Sequence, residues 1–335
     1  MSELGLIGAV ANELLAKRAK WHKELYPNCE MVVGDFSDPA VFDEVVRLHK
    51  EKCCELVLAS PPCQSFSVAN KIRDIAVDKR TYLFQDTLRF IEATNPKWAL
   101  IENVPQFLPA KPDNLNGQTI KEFLTLELNH LGYSVNIAVQ NAADFGTAQS
   151  RRRAIILASK TGKWEFPTPD AKQLTVREAI GDLPSLEAGE SSDIPFHTAP
   201  NMSKFQIKIM QNTASGCSAF DNPVYKPVKT NGTPCTRFGS GFTRKDWNRP
   251  SPAILCNNRS IYSYTNVHPG CLLPDGTYSN ARVMSILELL LLSGLPDNYP
   301  IPKWARPCFI REVIGECFVP RHVQRLLSKL PLDFS

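Results

Sequence analysis

The sequence predicts an α/β protein: an open, doubly wound sheet carrying a smaller, irregular second lobe. Three observations predict it. Short apolar runs (Met31-Val-Val33, Leu56-Val-Leu-Ala59, Trp98-Ala-Leu-Ile101 and residues 154–158) alternate with longer stretches of helical periodicity. The second run stops at Pro61-Pro62, which stiffen the backbone just before Cys63. Composition then shifts near Glu165, where prolines become frequent and periodicity fades. A chain of 335 residues is long enough for a large core and two lobes.

Composition excludes several classes. Hydrophobic content of 43% and charged content of 21% are ordinary for a globular protein. Net charge is only +4, so any nucleic-acid surface must be local. None of the ten cysteines stands in a Cys-x-x-Cys pair or a zinc-like Cys/His spacing, so no metal is expected. The sequence shows neither a signal peptide nor an apolar run of about 18 residues. The expectation is a cytoplasmic, reduced protein with no membrane contact, in which nine cysteines are scattered buried thiols.

The elements follow in order. Val10-Ala-Asn-Glu13 reads as the end of a strand, with Glu13 opening the next helix. Residues 14–26 form an amphipathic helix with Lys17, Arg18, Lys20 and Lys23 on its wet side. Asp38 caps a helix over residues 39–52, with Pro39 at its first position. Residues 69–80 are polar, basic and aperiodic, as in a surface loop. Helical periodicity resumes over 82–91. A strand ends in Glu102-Asn103-Val104, where a buried carboxylate needs a partner or a proton. A helix over 119–131 is closed by Gly132, and strands cover 134–140 and 154–158. Phe196, Phe205, Tyr225, Phe238, Phe242 and Trp247 argue that the Pro-rich region folds.

The stretch Leu58-Ala-Ser-Pro-Pro-Cys-Gln-Ser-Phe-Ser67 organises the rest. It holds a thiol at the carboxyl end of a strand, where open α/β sheets place their chemistry. Alone, Pro-Cys reads as a small apolar cysteine in a turn. Together with Gly34-Asp35, Glu102-Asn103-Val104, Gln149-Ser-Arg151-Arg-Arg153 and Ile314-Gly315, in that family's order, it resembles the DNA (cytosine-5) methyltransferases. The resemblance spans residues 13–327.

The resemblance implies a Rossmann-like sheet that binds S-adenosylmethionine (SAM) as co-substrate. It implies a catalytic lobe over 1–162, a target-recognition domain over 163–266, and a return to the catalytic lobe over 267–335. Glu13 would meet the ribose hydroxyls and Asp35 the adenine amino group, with Pro62, Leu83 and Glu316 completing the cofactor site. Glu316 and Val319 replace the family's usual Asn and Pro in that last segment. Cys63 would add to C6 of cytosine, which makes C5 nucleophilic by splitting one difficult step into two. Glu102, protonated when it acts, would serve N3, and Arg151 and Arg153 would stabilise charge on the ring. The base must leave the duplex stack, with Gln64 and the 69–80 loop filling the gap. Arg80, Gln149, Arg237, Arg244 and Lys245 are expected DNA contacts. The helix near Arg282 and the Leu295-Pro-Asp297 turn resemble structural support for the recognition region.

Met1–Gly8 contains no Phe-x-Gly-x-Gly loop, with which family members open. The catalytic lobe is therefore expected to be incomplete at its amino end, to bind SAM weakly alone, and to gain from a complementing segment or subunit. The leading expectation is methylation of double-stranded DNA in restriction–modification, at the nucleoid. A tRNA cytosine-5 methyltransferase and a non-catalytic DNA-binding subunit are the alternatives.

Overall fold

The computed structural model describes residues 4–62, 82–222, 225–229, 231–237, 239–262 and 264–332. Cys63, Gln64, Arg80, the 69–80 loop and Phe238 lie outside the described residues.

Parallel strands need crossovers, and the first half of the chain supplies them. Strand β1 (Val10–Glu13) is followed by helix α1 (Ala16–Leu25) and strand β2 (Glu30–Val33), which pairs parallel with β1. Helix α2 (Pro39–Glu51) starts where Asp38 accepts a hydrogen bond from the Ala40 N–H at 2.8 Å. Strand β3 (Leu56–Ala59) follows, and helix α3 (Leu83–Thr94) leads into β4 (Trp98–Asn103), parallel to β3. Helix α4 (Ile120–His130) opens on a capping box between Thr119 and Glu122. Gly132 turns the chain out of it at φ 84°, a left-handed conformation glycine adopts without strain.

Three more strands close this part: β5 (Ser134–Asn141), the short β6 (Gln149–Ser150), and β7 (Arg152–Ser159). Strand β7 runs antiparallel between β4 and β5, giving the order β3-β4-β7-β5. The α/β expectation holds, with a mixed sheet. All six residues of β4 are buried, which explains its continuous apolar run over Trp98–Ile101. The core beneath it includes Phe84, Ile91, Ile101, Phe107, Leu124 and Ile156.

The chain divides into two compact units. The first comprises Met1–Asn141, Arg152–Thr168 and Gln324–Ser335, and the second comprises Ala142–Arg151 and Pro169–Val323. This corrects the expected boundaries. Residues 267–323 remain with the second unit because their polar groups bond inside it. The His268 carbonyl accepts from Arg244, for example, and Arg311 donates to Asn258. Return to the first unit comes at Gln324.

The second unit has little regular structure: helices α5 (Val176–Ile180) and α6 (Lys204–Gln211), strand β8 (Ser251–Pro252), and helices α7 (Ile286–Leu292) and α8 (Pro307–Glu316). Strand β8 pairs parallel with β6. Capping boxes open α5, α6 and α7. Ile209, Met210, Phe242, Val267 and Val283 form an apolar cluster. Gly315 lets α8 lie against the backbone of Leu255 and Cys256; a Cβ there would sit 2.4 Å from both.

Candidate active site

The site grows from the carboxyl end of β4. Glu102 stands opposite Ile155 of β7, and Arg153 lies two residues before Ile155, so both side chains share one sheet face. There the Arg153 Nε meets Glu102 Oε1 at 2.5 Å, with both side chains nearly buried. A charge-assisted pair is what a carboxylate at a buried strand end requires. Arg153 also donates through Nη1 to the Arg152 carbonyl at 2.9 Å, which fixes the guanidinium.

The next residue, Asn103, was not singled out from the sequence. Its Nδ2 donates to the Pro61 carbonyl at 3.1 Å, and its Oδ1 accepts from the Val104 N–H at 2.9 Å. The end of β4 is thereby tied to the Pro-Pro segment two residues before Cys63. A buried amide between two apolar strand ends was the available signal, because such a group must find partners.

Two carboxylates stand at the carboxyl ends of the adjacent strands β1 and β2. Glu13 Oε1 accepts from the Leu15 N–H at 2.8 Å, starting the turn into α1. Asp35 Oδ1 accepts from the Ser37 N–H at 2.9 Å and the Ser37 hydroxyl at 2.8 Å, and these bonds hold its carboxyl below the usual range. Each leaves one carboxylate oxygen without a bond among the described residues, suited to hydroxyl or amino donors. Gly34 separates Asp35 from β2 at φ 154°, and a Cβ there would meet Val41 at 2.6 Å. Leu83 is half-buried at the start of α3, and Pro62 is exposed beyond β3. Glu316 is exposed at the end of α8, in the second unit.

Several expected site residues are placed inside the second unit. Gln149 is buried, donating to Ser293 Oγ at 3.1 Å and accepting from the Ile254 N–H at 3.1 Å. Arg151, expected beside Arg153, belongs to the second unit and is buried, donating to the Ile254 carbonyl at 2.7 Å. Arg244 is buried and donates to the carbonyls of Met210, His268, Asn280 and Tyr278. Lys245 is buried and donates to Ser251 Oγ at 2.7 Å and the Thr265 carbonyl at 2.8 Å. An irregular backbone leaves carbonyls without ladder partners, and long cationic side chains satisfy them. Of these candidates, Arg237 is exposed, paired with Asp221 at 2.9 Å.

A second cluster escaped the sequence reading. Arg282 grips Glu288 with two bonds of 2.8 Å, and His197 and His268 lie within 3.7 Å of that carboxylate. Burial alone would raise Glu288, but contacts with His197 and Arg282 hold it well below the usual range. Burial pushes His268 down to about 3. The buried-thiol expectation fails: among the described cysteines only Cys29 is buried, while Cys53, Cys217, Cys256, Cys271 and Cys308 are exposed. Among the described residues there is no cluster of three or more metal-ligating side chains, and no helix long and apolar enough to cross a membrane.

Residues 2–331 match the model of the C-5 cytosine-specific DNA methylase family. The type II methyltransferase M1.HgaI of Avibacterium volantium is 40% identical over 98% of this chain and 93% of its own length. The type II methyltransferase M1.HphI of Haemophilus parahaemolyticus is 30% identical over 87% of this chain and 76% of its own. Among solved structures, the Spodoptera frugiperda DNMT2 mutant superposes with a TM-score of 0.59 at 15% identity, covering 98% of this chain and 94% of the other. The Entamoeba histolytica methyltransferase EhMeth gives a TM-score of 0.63 at 16% identity, covering 97% and 89%. At such identities these two speak for the fold. With a matching family model across its whole length and a relative at 40% identity, this chain belongs to the C-5 cytosine-specific DNA methylase family.

Proposed function

We propose that this chain is the DNA (cytosine-5-)-methyltransferase of a type II restriction–modification system, using SAM as methyl donor. The observation that carries the reading is the Glu102–Arg153 pair at the end of β4, tied through Asn103 to the segment leading into Cys63. SAM, when bound, supplies an electrophilic methyl group.

The chain's own residues do the rest. Glu13 and Asp35 offer carboxylate oxygens to hydroxyl and amino groups at the ends of β1 and β2. Cys63 attacks C6 of a flipped-out cytosine as thiolate, and the electron pair moves onto the ring toward N3 and O2. Glu102, once it has taken a proton from water, delivers it at N3, and the Arg153 guanidinium stabilises the charge that forms beside it. After methyl transfer, water takes the C5 proton, the C–H electron pair re-forms the C5–C6 double bond as Cys63 leaves as thiolate, and N3 returns its proton to Glu102.

The test uses the 335-residue chain with methyl-labelled SAM, a duplex DNA library and tRNA. Label appearing as 5-methylcytosine in DNA supports the reading. Label in tRNA alone would assign the other substrate, and SAM-independent DNA binding without label would assign a non-catalytic subunit.

A further inference from the structure

The second unit carries two hairpins that share one turn and differ in surface. In the first, Val228 pairs antiparallel with Pro234, and the Lys229 N–H donates to the Thr233 carbonyl at 2.7 Å. In the other, Leu272 pairs antiparallel with Tyr278, and the Leu273 N–H donates to the Thr277 carbonyl at 2.8 Å. Each turn closes on a glycine of positive φ, Gly232 at 81° and Gly276 at 82°. Each is braced by the side chain before that glycine. Asn231 Oδ1 accepts from the Thr233 N–H and hydroxyl, and Asp275 Oδ1 accepts from the Thr277 N–H and hydroxyl. Turn chemistry therefore accounts for Asn-Gly-Thr and Asp-Gly-Thr alike.

It does not account for the residues around them. Residues 271–279 hold no lysine or arginine, and Leu272 and Leu273 are exposed. Residues 226–237 hold Lys226, Lys229 and Arg237 and no carboxylate. Two of these cations are engaged: Lys226 donates to the Phe220 carbonyl at 2.6 Å, and Arg237 to Asp221 at 2.9 Å. The Lys229 ammonium and the Asn231 Nδ2 have no partner among the described residues, and both residues are exposed. The base of the hairpin is fixed, because Tyr225 and Cys235 pack on the apolar cluster of this unit. Pro227 and Pro234 have no N–H to offer, so the ribbon does not widen into a sheet.

We propose that the 226–235 hairpin lies in the major groove of duplex DNA, where Lys229 and Asn231 read guanine in the recognised sequence. This rests on the reading of the chain as a DNA methyltransferase and adds what it recognises. A two-stranded ribbon fits the major groove of DNA, whereas that of an RNA helix is too deep and narrow to be read. Guanine follows from the donor inventory. Thr233 occupies the Asn231 oxygen, which leaves its NH2 group, and an ammonium only donates. Guanine shows two acceptors in that groove, N7 and O6. Adenine sets a donor beside its N7, and thymine a methyl beside its O4. Arg244 and Lys245, by contrast, spend their donors on groups inside the unit.

Selection of bound duplexes from a randomised library by the 335-residue chain needs no methyl transfer, so the hairpin and the active site fail separately. The native chain should recover a motif containing guanine. Replacing one such guanine by 7-deazaguanine, which lacks N7, should weaken binding by about tenfold or more. Asn231→Asp keeps the turn, as Asp275 shows, and removes the donor; Lys229→Met removes the ammonium. Each should lower the preference for guanine at one position by about tenfold and make binding there insensitive to 7-deazaguanine. Lys229→Arg should keep the preference, and Leu272→Ser on the other hairpin should leave the motif unchanged. An unchanged motif in either Asn231→Asp or Lys229→Met overturns the proposal. So does weakening that is equal for all sequences, which would make the hairpin a phosphate contact. Recovery of no motif, or binding of tRNA in preference to every duplex, overturns it as well. A guanine motif that both variants lose, on duplexes the native chain never methylates, would uphold the hairpin and refute the catalytic reading alone.

Discussion

The two units satisfy their backbones by different means. In the first, β4 bonds to β3 on one side and β7 on the other, and its residues are buried because ladders and apolar side chains suffice. In the second, Arg244, Lys245, Arg282 and Arg311 are buried and donate to the backbone carbonyls of Met210, Thr265, Leu186 and Met284. The nearly buried ion pair of the first unit is at the strand end where Glu102 and Arg153 meet. Charge in the second is the internal scaffold. A buried cation thus has opposite meanings in the two regions: a reagent beside a regular sheet, a brace inside an irregular one.

Substitutions can break this contrast. The largest effect is expected from Cys63→Ser, which should remove methyl transfer while leaving DNA retention on filters intact, since a hydroxyl is a far weaker nucleophile. A 5-fluorocytosine duplex should trap the native chain, and mass spectrometry locating the adduct on any other cysteine would reject the assignment. Glu102→Gln should slow turnover by roughly 10²–10⁴ with little change in melting temperature. Unchanged kcat at saturating DNA and SAM would place Glu102 among the structural charges instead.

The opposite pattern is expected in the second unit. Glu288→Gln leaves Arg282 buried without its anion and should lower unfolding stability by about 3–5 kcal/mol in urea titrations. Gly315→Ala forces a Cβ against the Leu255 carbonyl at 2.4 Å and should cost about 1–3 kcal/mol by the same measurement. The last effect, small per pH unit, is a pH slope. Burial lowers Lys245 to about 7 from 10.5, so between those values the unfolded chain binds more protons than the folded one. Stability should therefore rise with pH from about 7 toward 10, by at most about 1.4 kcal/mol per unit. Lys245→Met should flatten that slope, and an unaltered slope would show that the ammonium is not the group responsible.

Legibility from sequence followed the same division. The strands at Leu56–Ala59 and Trp98–Asn103 and the cap at Asp38 were readable because local periodicity and capping chemistry decide them. At Glu102 the sequence asked for a partner or a proton, and Arg153, its partner in the structure, was among the named site candidates. Arg244 and Lys245 were misread as DNA contacts, because a basic dipeptide in a Pro-rich stretch looks like surface when its carbonyl partners are distant in sequence. Arg244 bonds to residues 34 and 36 positions away. Asn103 escaped for a related reason: its partner at Pro61 is 42 residues back. The return expected at 267 from the resemblance differs from the division at Gln324, and within that stretch Arg282 donates to Leu186, 96 residues earlier.

The two excursions that make up the second unit have a consequence for the growing chain. All four strands of the β3-β4-β7-β5 sheet lie before Lys160, so they can pair on the ribosome before most of the second unit has been translated. One strap must wait. The Trp164 indole donates to the Leu326 carbonyl at 3.0 Å, and the Thr161 hydroxyl to the Pro331 carbonyl at 2.8 Å. Until the final dozen residues emerge, that buried indole N–H has no Leu326 to receive it, and the first unit stands as an early-formed sheet awaiting a late clasp.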